Sequence, residues 1–200
     1  MNLNSYSTDR RERTRQRLLA AARSEFAQRG FDATAVADIT AAADLGTGTF
    51  YLHFEDKKAL LHEIIDNGLA AIREGVERIV RDVPPGARLT AAVGAFLARA
   101  YAQRELFTVL FLRGNIEVLA RARSSVGEGI QAILEAEASA GIELAMDPRL
   151  AGRMIGGILN QAALWWSDHD EPGPDEVIEQ VLRLLRSGLP APLFEGMPGR

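Results

Sequence analysis

Apolar residues recur at helical spacing along almost the whole chain. Leu18, Ala22 and Phe26, with Leu19 beside them, form one face of a segment spanning about 8–29. Gly30 is a natural stop for it, since glycine takes the left-handed backbone that ends many helices. Leu60, Leu61, Ile64, Ile65, Leu69, Ile72, Val76 and Ile79 hold the same period over 57–82. At about 1.5 Å per residue that helix is roughly 40 Å long, and Pro84-Pro85-Gly86 closes it. Two short helices, 36–43 and 47–53, flank Asp44-Leu45-Gly46, which leaves room only for a tight turn. Further helices are expected at 88–103, 104–112, 116–140, 148–168 and 174–187. Asp147-Pro148 reads as an N-cap followed by proline in the first turn. Val, Ile and Thr are scattered rather than alternating, so the expected fold is all-α with about nine helices.

The short pair is the informative segment. Two such helices bury little surface alone and need the first helix behind them. Leu18, Ala22, Phe26, Phe31, Val36, Ile39 and Leu45 can supply a small three-helix core. A unit of this kind presents its second short helix outward, where it can enter a DNA major groove about 12 Å wide. Thr47 and Thr49 offer hydroxyls and methyls for base edges, and Gly48 leaves room for close approach. Tyr51 and His53 offer polar tips to phosphate oxygens. Thr34 can cap the first short helix or bond phosphate. Lys57 adds charge at the start of the long helix.

Charge sharpens this picture. The net charge is −4, yet residues 1–60 carry nine Lys/Arg against eight Asp/Glu, while 61–200 carry 14 against 19. Arg10, Arg11, Arg13, Arg15 and Arg17 cluster near the N-terminus with only Glu12 among them, and Arg13 is a candidate phosphate contact. A basic arm on a near-neutral head joined to an acidic body suits a protein that touches nucleic acid at one end.

The order and spacing of more than a dozen positions between 14 and 65 resemble the DNA-binding region of tetracycline-repressor (TetR-like) regulators. They include Leu18-Leu19, Ala21-Ala22, Phe26, Gly30-Phe31, Thr34, Val36, Asp38-Ile39 and Ala43. The series continues with Gly48-Thr49-Phe50-Tyr51, His53-Phe54, Lys57 and Leu60-Leu61. The resemblance implies that Thr47 to His53 is a recognition helix and that Tyr51 and Lys57 hold the DNA backbone. It implies a helix-turn-helix domain over 1–56 (motif 34–53) and a helical ligand-binding and dimerisation body over 57–200. It also implies a homodimer, double-stranded operator DNA as partner and a small-molecule effector of unknown identity, with repression the favoured mode. Two positions depart from the family pattern. Asp44 stands at the usual turn glycine, and Gly46 at the usual serine or threonine before the recognition helix. Aspartate tolerates left-handed backbone and glycine can serve as an N-cap, so the turn is expected to survive without its hydroxyl cap.

In the body, Ile155, Gly156 and Leu159 on one helix and Val177, Val181 and Leu184 on the last are candidates for a dimer face, which would form a four-helix bundle with the partner. Phe96, Tyr101, Phe107, Phe111, Asn160 and Trp165 are candidates for a ligand cavity. Enzyme readings are weak. The chain has no cysteine and three histidines. His62 and Asp66 lack a third metal ligand at a useful spacing, and neither a nucleophile elbow nor a phosphate loop is present. No catalytic residue, metal site or cofactor is expected. The polar, arginine-rich start is no secretory signal, and no run of about 18 apolar residues suggests a membrane span; a cytoplasmic protein without a membrane partner is the expectation. Two rival readings stand beside the regulator. One is a small-molecule-binding bundle whose head no longer binds DNA specifically. The other is an interaction protein that uses its glycine-thinned helices to bind a helical partner.

Overall fold

A computed structural model describes residues 3–111, 116–166 and 169–187. Among them are nine α-helices and no strand: α1 (Leu3–Arg29), α2 (Val36–Ala42), α3 (Thr47–Tyr51), α4 (Lys57–Val80), α5 (Arg88–Ala102), α6 (Arg104–Phe111), α7 (Ile116–Ser139), α8 (Pro148–Trp165) and α9 (Pro174–Ser187). The expected ends at 112 and 168 lie outside the described residues.

Most boundaries follow the local chemistry that announces them. Gly30 has φ of 84°, and its N–H donates to Phe26 O at 2.9 Å, so the left-handed residue ends α1. α1 begins earlier than the expected residue 8, because no glycine or proline interrupts the polar stretch before it. Asp147 caps α8 by accepting from the Arg149 N–H at 2.8 Å. The Arg149 side chain and that backbone bond together hold its carboxyl down at about 2. α3 stops at Tyr51, short of 53, because His53 N–H and Phe54 N–H both donate to Phe50 O at 2.9 Å. That turn drops Phe54 into the interior, where it is 4% exposed.

The chain packs as two units: residues 1–71 with 103–122, and residues 72–102 with 123–200. The first unit thus takes in the first part of α4, all of α6 and the start of α7. In the first unit α2 and α6 pack on α1, and α3 packs on α2. Leu18, Ala22, Phe26, Ile39, Phe50, Leu60, Leu61, Ile64 and Ile65 are buried there. Arg29 pairs with Glu25 at 3.3 Å and with Asp38 at 3.5 Å, tying α1 to α2. Asp38 also accepts from the Ala35 N–H at 2.8 Å at the start of α2.

In the second unit α5, α8 and α9 pack on one another. Val93, Phe96, Leu97, Leu159, Ala163, Val177 and Val181 are buried in it. Buried Glu137 of α7 accepts from Gly86 N–H at 2.6 Å and Arg88 N–H at 3.2 Å, so its carboxylate serves the orphan donors at the start of α5. α7 and α8 meet backbone to backbone. A Cβ on Gly156 would stand 2.8 Å from Gly127 Cα, and one on Gly152 would stand 2.6 Å from Gly127 O. Helix glycines that cost stability in isolation here permit a contact no side chain could share.

Candidate nucleic-acid interface

The helix-turn-helix is built around Phe50. Its ring is fully buried, 5.7 Å from the Phe54 ring and 5.3 Å from the Tyr51 ring. Anchoring one residue of a five-residue helix fixes the others by the helical period. Thr47 and Gly48 are exposed, Thr49 is half-buried and Tyr51 is 60% exposed. A Cβ at Gly48 would meet nothing within 4 Å, so α3 stands clear of its own chain on that side. Leu52, which the sequence reading passed over, is 70% exposed beside Tyr51.

The turn before α3 survives its two unusual residues. Asp44 takes φ of 52°, the left-handed conformation that glycine ordinarily supplies. Gly46 is the N-cap of α3, with extended backbone and no side-chain cap bond.

Two expected contact residues, Thr34 and Lys57, are used inside the head, and two others, Arg13 and His53, are exposed or half-buried at its edge. Thr34 is 1% exposed, and its hydroxyl donates to Gly30 O at 2.7 Å. It closes the loop after α1 and does not face outward toward phosphate. The Lys57 ammonium donates to Phe31 O at 2.6 Å and to Thr34 O at 2.7 Å. It also lies 4.4 Å over the Phe31 ring. Two of its three donors thus hold the loop that leads into α2. Both acceptors are loop carbonyls beyond the end of α1, outside any helix, and a cation is a natural partner for them. Arg13 pairs with Asp9 one turn back on α1, with both side chains exposed. His53 is half-buried and its Nδ1 is shielded without a hydrogen-bond partner. Burial first, then the charges of Arg11 and Arg15, push its pKa below the ordinary value. Both effects favour its neutral form.

Sequence reasoning missed how the other α1 arginines are used. Arg17 donates to Ala43 O at 2.6 Å and Asp44 O at 3.2 Å. Arg15 donates to His53 O at 2.9 Å, is paired with Glu63 and sits 4.5 Å over the Phe54 ring. Arg11 donates to Leu52 O at 3.3 Å. All three serve carbonyls left free where α2 and α3 end. No spacing signal marks these bonds, since they join residues 26 to 41 positions apart.

The candidate ligand residues fall in different units. Phe107 is buried in the first, and the Phe111 side chain lies outside the described residues. Phe96 and Asn160 are buried in the second, where Tyr101 meets the Trp166 ring edge-on at 5.2 Å. Trp165 is 45% exposed and stacks on His169 at 3.9 Å, so it faces outward. Of the candidate dimer residues, Gly156, Leu159, Val177 and Val181 are already buried within one chain, while Ile155 and Leu184 are half-buried. Among the described residues no group of acids and histidines is placed to hold a metal ion, and no helix is long and apolar enough to cross a membrane.

A buttressed short helix projecting from a left-handed turn defines a helix-turn-helix head. Residues 18–64 match the model for bacterial regulatory proteins of the tetR family, and residues 82–189 match a tetracyclin repressor-like C-terminal domain. The chain belongs to the tetracycline-repressor family of transcriptional regulators. It is 36% identical over 77 residues to the transcriptional repressor DhaR of Mycobacterium sp.; that match covers 38% of this chain and only 39% of DhaR. It is 27% identical over 187 residues to the repressor KstR2 of Rhodococcus jostii, covering 89% of this chain and 92% of that one. Two solved structures share the fold at 22% identity. FadR of Bacillus subtilis, in complex with stearoyl-CoA, has a TM-score of 0.76 and covers 88% of this chain and 99% of that one. NalD of Pseudomonas aeruginosa, the secondary repressor of the MexAB-OprM efflux pump, has a TM-score of 0.69 over 89% and 96%.

Proposed function

We propose that this protein is a homodimeric repressor that leaves its operator when a small molecule binds its body. The observation that carries the reading is the α3 surface: Thr47, Gly48, Thr49 and Tyr51 stand on a helix whose one inward residue, Phe50, is fully buried. Thr47 and Thr49 read base edges, while Tyr51 and backbone N–H groups at the start of α3 hold phosphates. His53 contributes at the edge of the same surface. Lys57 and Thr34 act one step back, by holding the loop that aims α2.

Dimerisation uses the outer faces of α8 and α9. Leu150 and Met154 are 54% and 53% exposed and share one side of α8 with Trp165, beside Gly157, where a Cβ would meet nothing within 4 Å. Half-buried Leu182 and Leu185 on α9 offer further apolar surface, whereas Ile178 lies toward Gly94 of α5. A two-fold dimer places its recognition helices about 34–36 Å apart, one turn of DNA. α4 runs through both packing units, so an effector that favours a different α4 tilt re-aims the heads. The effector must prefer the DNA-incompetent state, since equal affinity shifts nothing.

Selection of bound duplexes from a random pool tests this reading. The expected outcome is a roughly palindromic site bound by a dimer. If the full chain enriches no sequence at moderate salt, while remaining dimeric and ligand-binding, the head does not bind DNA specifically.

A further inference from the structure

The body holds a guanidinium that no described residue matches. Arg99, in the last turn of α5, is half-buried, and its Nε is sealed from solvent with no hydrogen-bond acceptor. No carboxylate among the described residues pairs with it. Residues one turn before it, Ala95 and Phe96, are buried and apolar. The C-terminal dipole of α5 favours its charge but supplies no acceptor to the sealed N–H.

Room for this group has been made on the neighbouring helix. Gly75 is buried within α4, and a Cβ there would collide with Arg99 Cζ, Nε and Nη2. Glycine within a helix is unfavourable relative to alanine, and here it admits a cation that gains no partner among the described residues. A second unmatched atom lies in the same unit: Asn160 Oδ1 on α8 is buried without a donor. Buried polar groups are almost always satisfied, and each orphan calls for an explanation.

The geometry points to an anion-binding site at Arg99, where the effector supplies the missing acceptor. A guanidinium forms a planar fork of donors suited to a carboxylate or a phosphate ester. The apolar residues beside it suit a ligand whose remainder is hydrocarbon. This inference rests on the effector-binding reading of the body and assigns the chemical class of the effector: an organic anion with an apolar tail.

Calorimetric titration of the full-length protein tests it, with decanoate, decyl phosphate and uncharged decanol as probes. One or both anions are expected to bind the wild type, and which one binds better identifies the head group. Arg99→Gln should weaken anion binding about 10- to 100-fold and leave decanol binding unchanged. Gly75→Ala, which displaces the guanidinium without removing it, should also weaken the anions selectively. Circular dichroism checks the fold of both variants. Anion affinity unchanged in both, or no binding of either anion to the wild type, overturns the inference. Gel shifts run in parallel separate the two readings. Arg99-dependent anion binding without DNA binding removes the repressor and keeps the site; DNA binding without it does the reverse.

Discussion

Replacing Lys57 by methionine removes the ammonium and keeps an unbranched stem over the Phe31 ring. Two charge-assisted bonds then disappear, those to Phe31 O at 2.6 Å and Thr34 O at 2.7 Å. Hydrogen bonds from charged groups contribute about 1.5–3 kcal/mol each. The side chain is half-buried, water replaces part of what is lost, and the sulfur recovers some of the contact with the ring. A net loss of roughly 2 kcal/mol in local stability is expected, about 30-fold in an opening equilibrium. The effect should be concentrated in the loop after α1 and in α2. Hydrogen exchange of the free protein measures it there: amides of Asp38, Ile39 and Ala43 should exchange about 30-fold faster, while those of α8 stay unchanged. On DNA, affinity should fall on every sequence alike. The salt slope should change by much less than the roughly 0.9 per subunit that losing a phosphate contact produces. Unchanged exchange in α2, with a full unit lost from the salt slope, would refute the loop-holding role and restore Lys57 as a phosphate clamp.

The remaining expectations separate roles on the recognition surface and in the body. Thr49→Ala or Thr47→Ala should alter sequence preference by about 1–3 kcal/mol at one base pair, whereas Tyr51→Phe should weaken all duplexes equally; competition binding on single-base variants checks both. Gly156→Ala should destabilise the second unit by about 1–3 kcal/mol, because its Cβ would stand 2.8 Å from Gly127 Cα, whereas Gly129→Ala, at an exposed position of α7, meets nothing within 4 Å and should be neutral or stabilising by up to about 1 kcal/mol; urea titration followed by tryptophan fluorescence distinguishes them. His53 has a pKa held below 6.5 by burial and by Arg11 and Arg15, so the unfolded chain binds its proton more readily than the folded head. The contribution from keeping it neutral is complete above pH 6.5 and is lost as pH falls toward the folded pKa. Exchange protection of α3 should therefore fall below pH 6.5, and His53→Gln should flatten that dependence.

The helices were legible because each declares itself locally. Period places Leu60 to Ile79 on a helix, Gly30 ends α1, and Asp147-Pro148 opens α8. The short α3 was legible in position but not in extent, since its end depends on Phe54 entering a core that only the folded head contains. The contact residues were legible only as a segment. Thr34 and Thr47 are the same residue type a short distance apart, yet one is sealed at 1% exposure and the other faces solvent. Nothing local to either decides that; the path of α1 behind them does. The glycines of α8 show the same limit. A glycine states that something approaches closely, but not whether it is a second copy of the chain. Gly127, 25 residues before Gly152 and 29 before Gly156, answers that for both.

The use of the α1 arginines changes how the head's charge is understood. Counted along the sequence, they form a basic arm aimed at phosphate. In the fold, Arg11, Arg15 and Arg17 donate to Leu52 O, His53 O, Ala43 O and Asp44 O. These carbonyls lie where α2 and α3 end, and helices of seven and five residues are too short to hold themselves. The positive charge of α1 therefore fixes the angle of α3 before any DNA is present. Arg15 is further neutralised by Glu63 on α4, which takes it out of the counterion balance on binding. The number of arginines thus overstates the number of phosphates the head neutralises. What they supply is preorganisation: a short helix held at a set angle loses less freedom on docking, which is what the proposed reading of base edges by Thr47 and Thr49 requires.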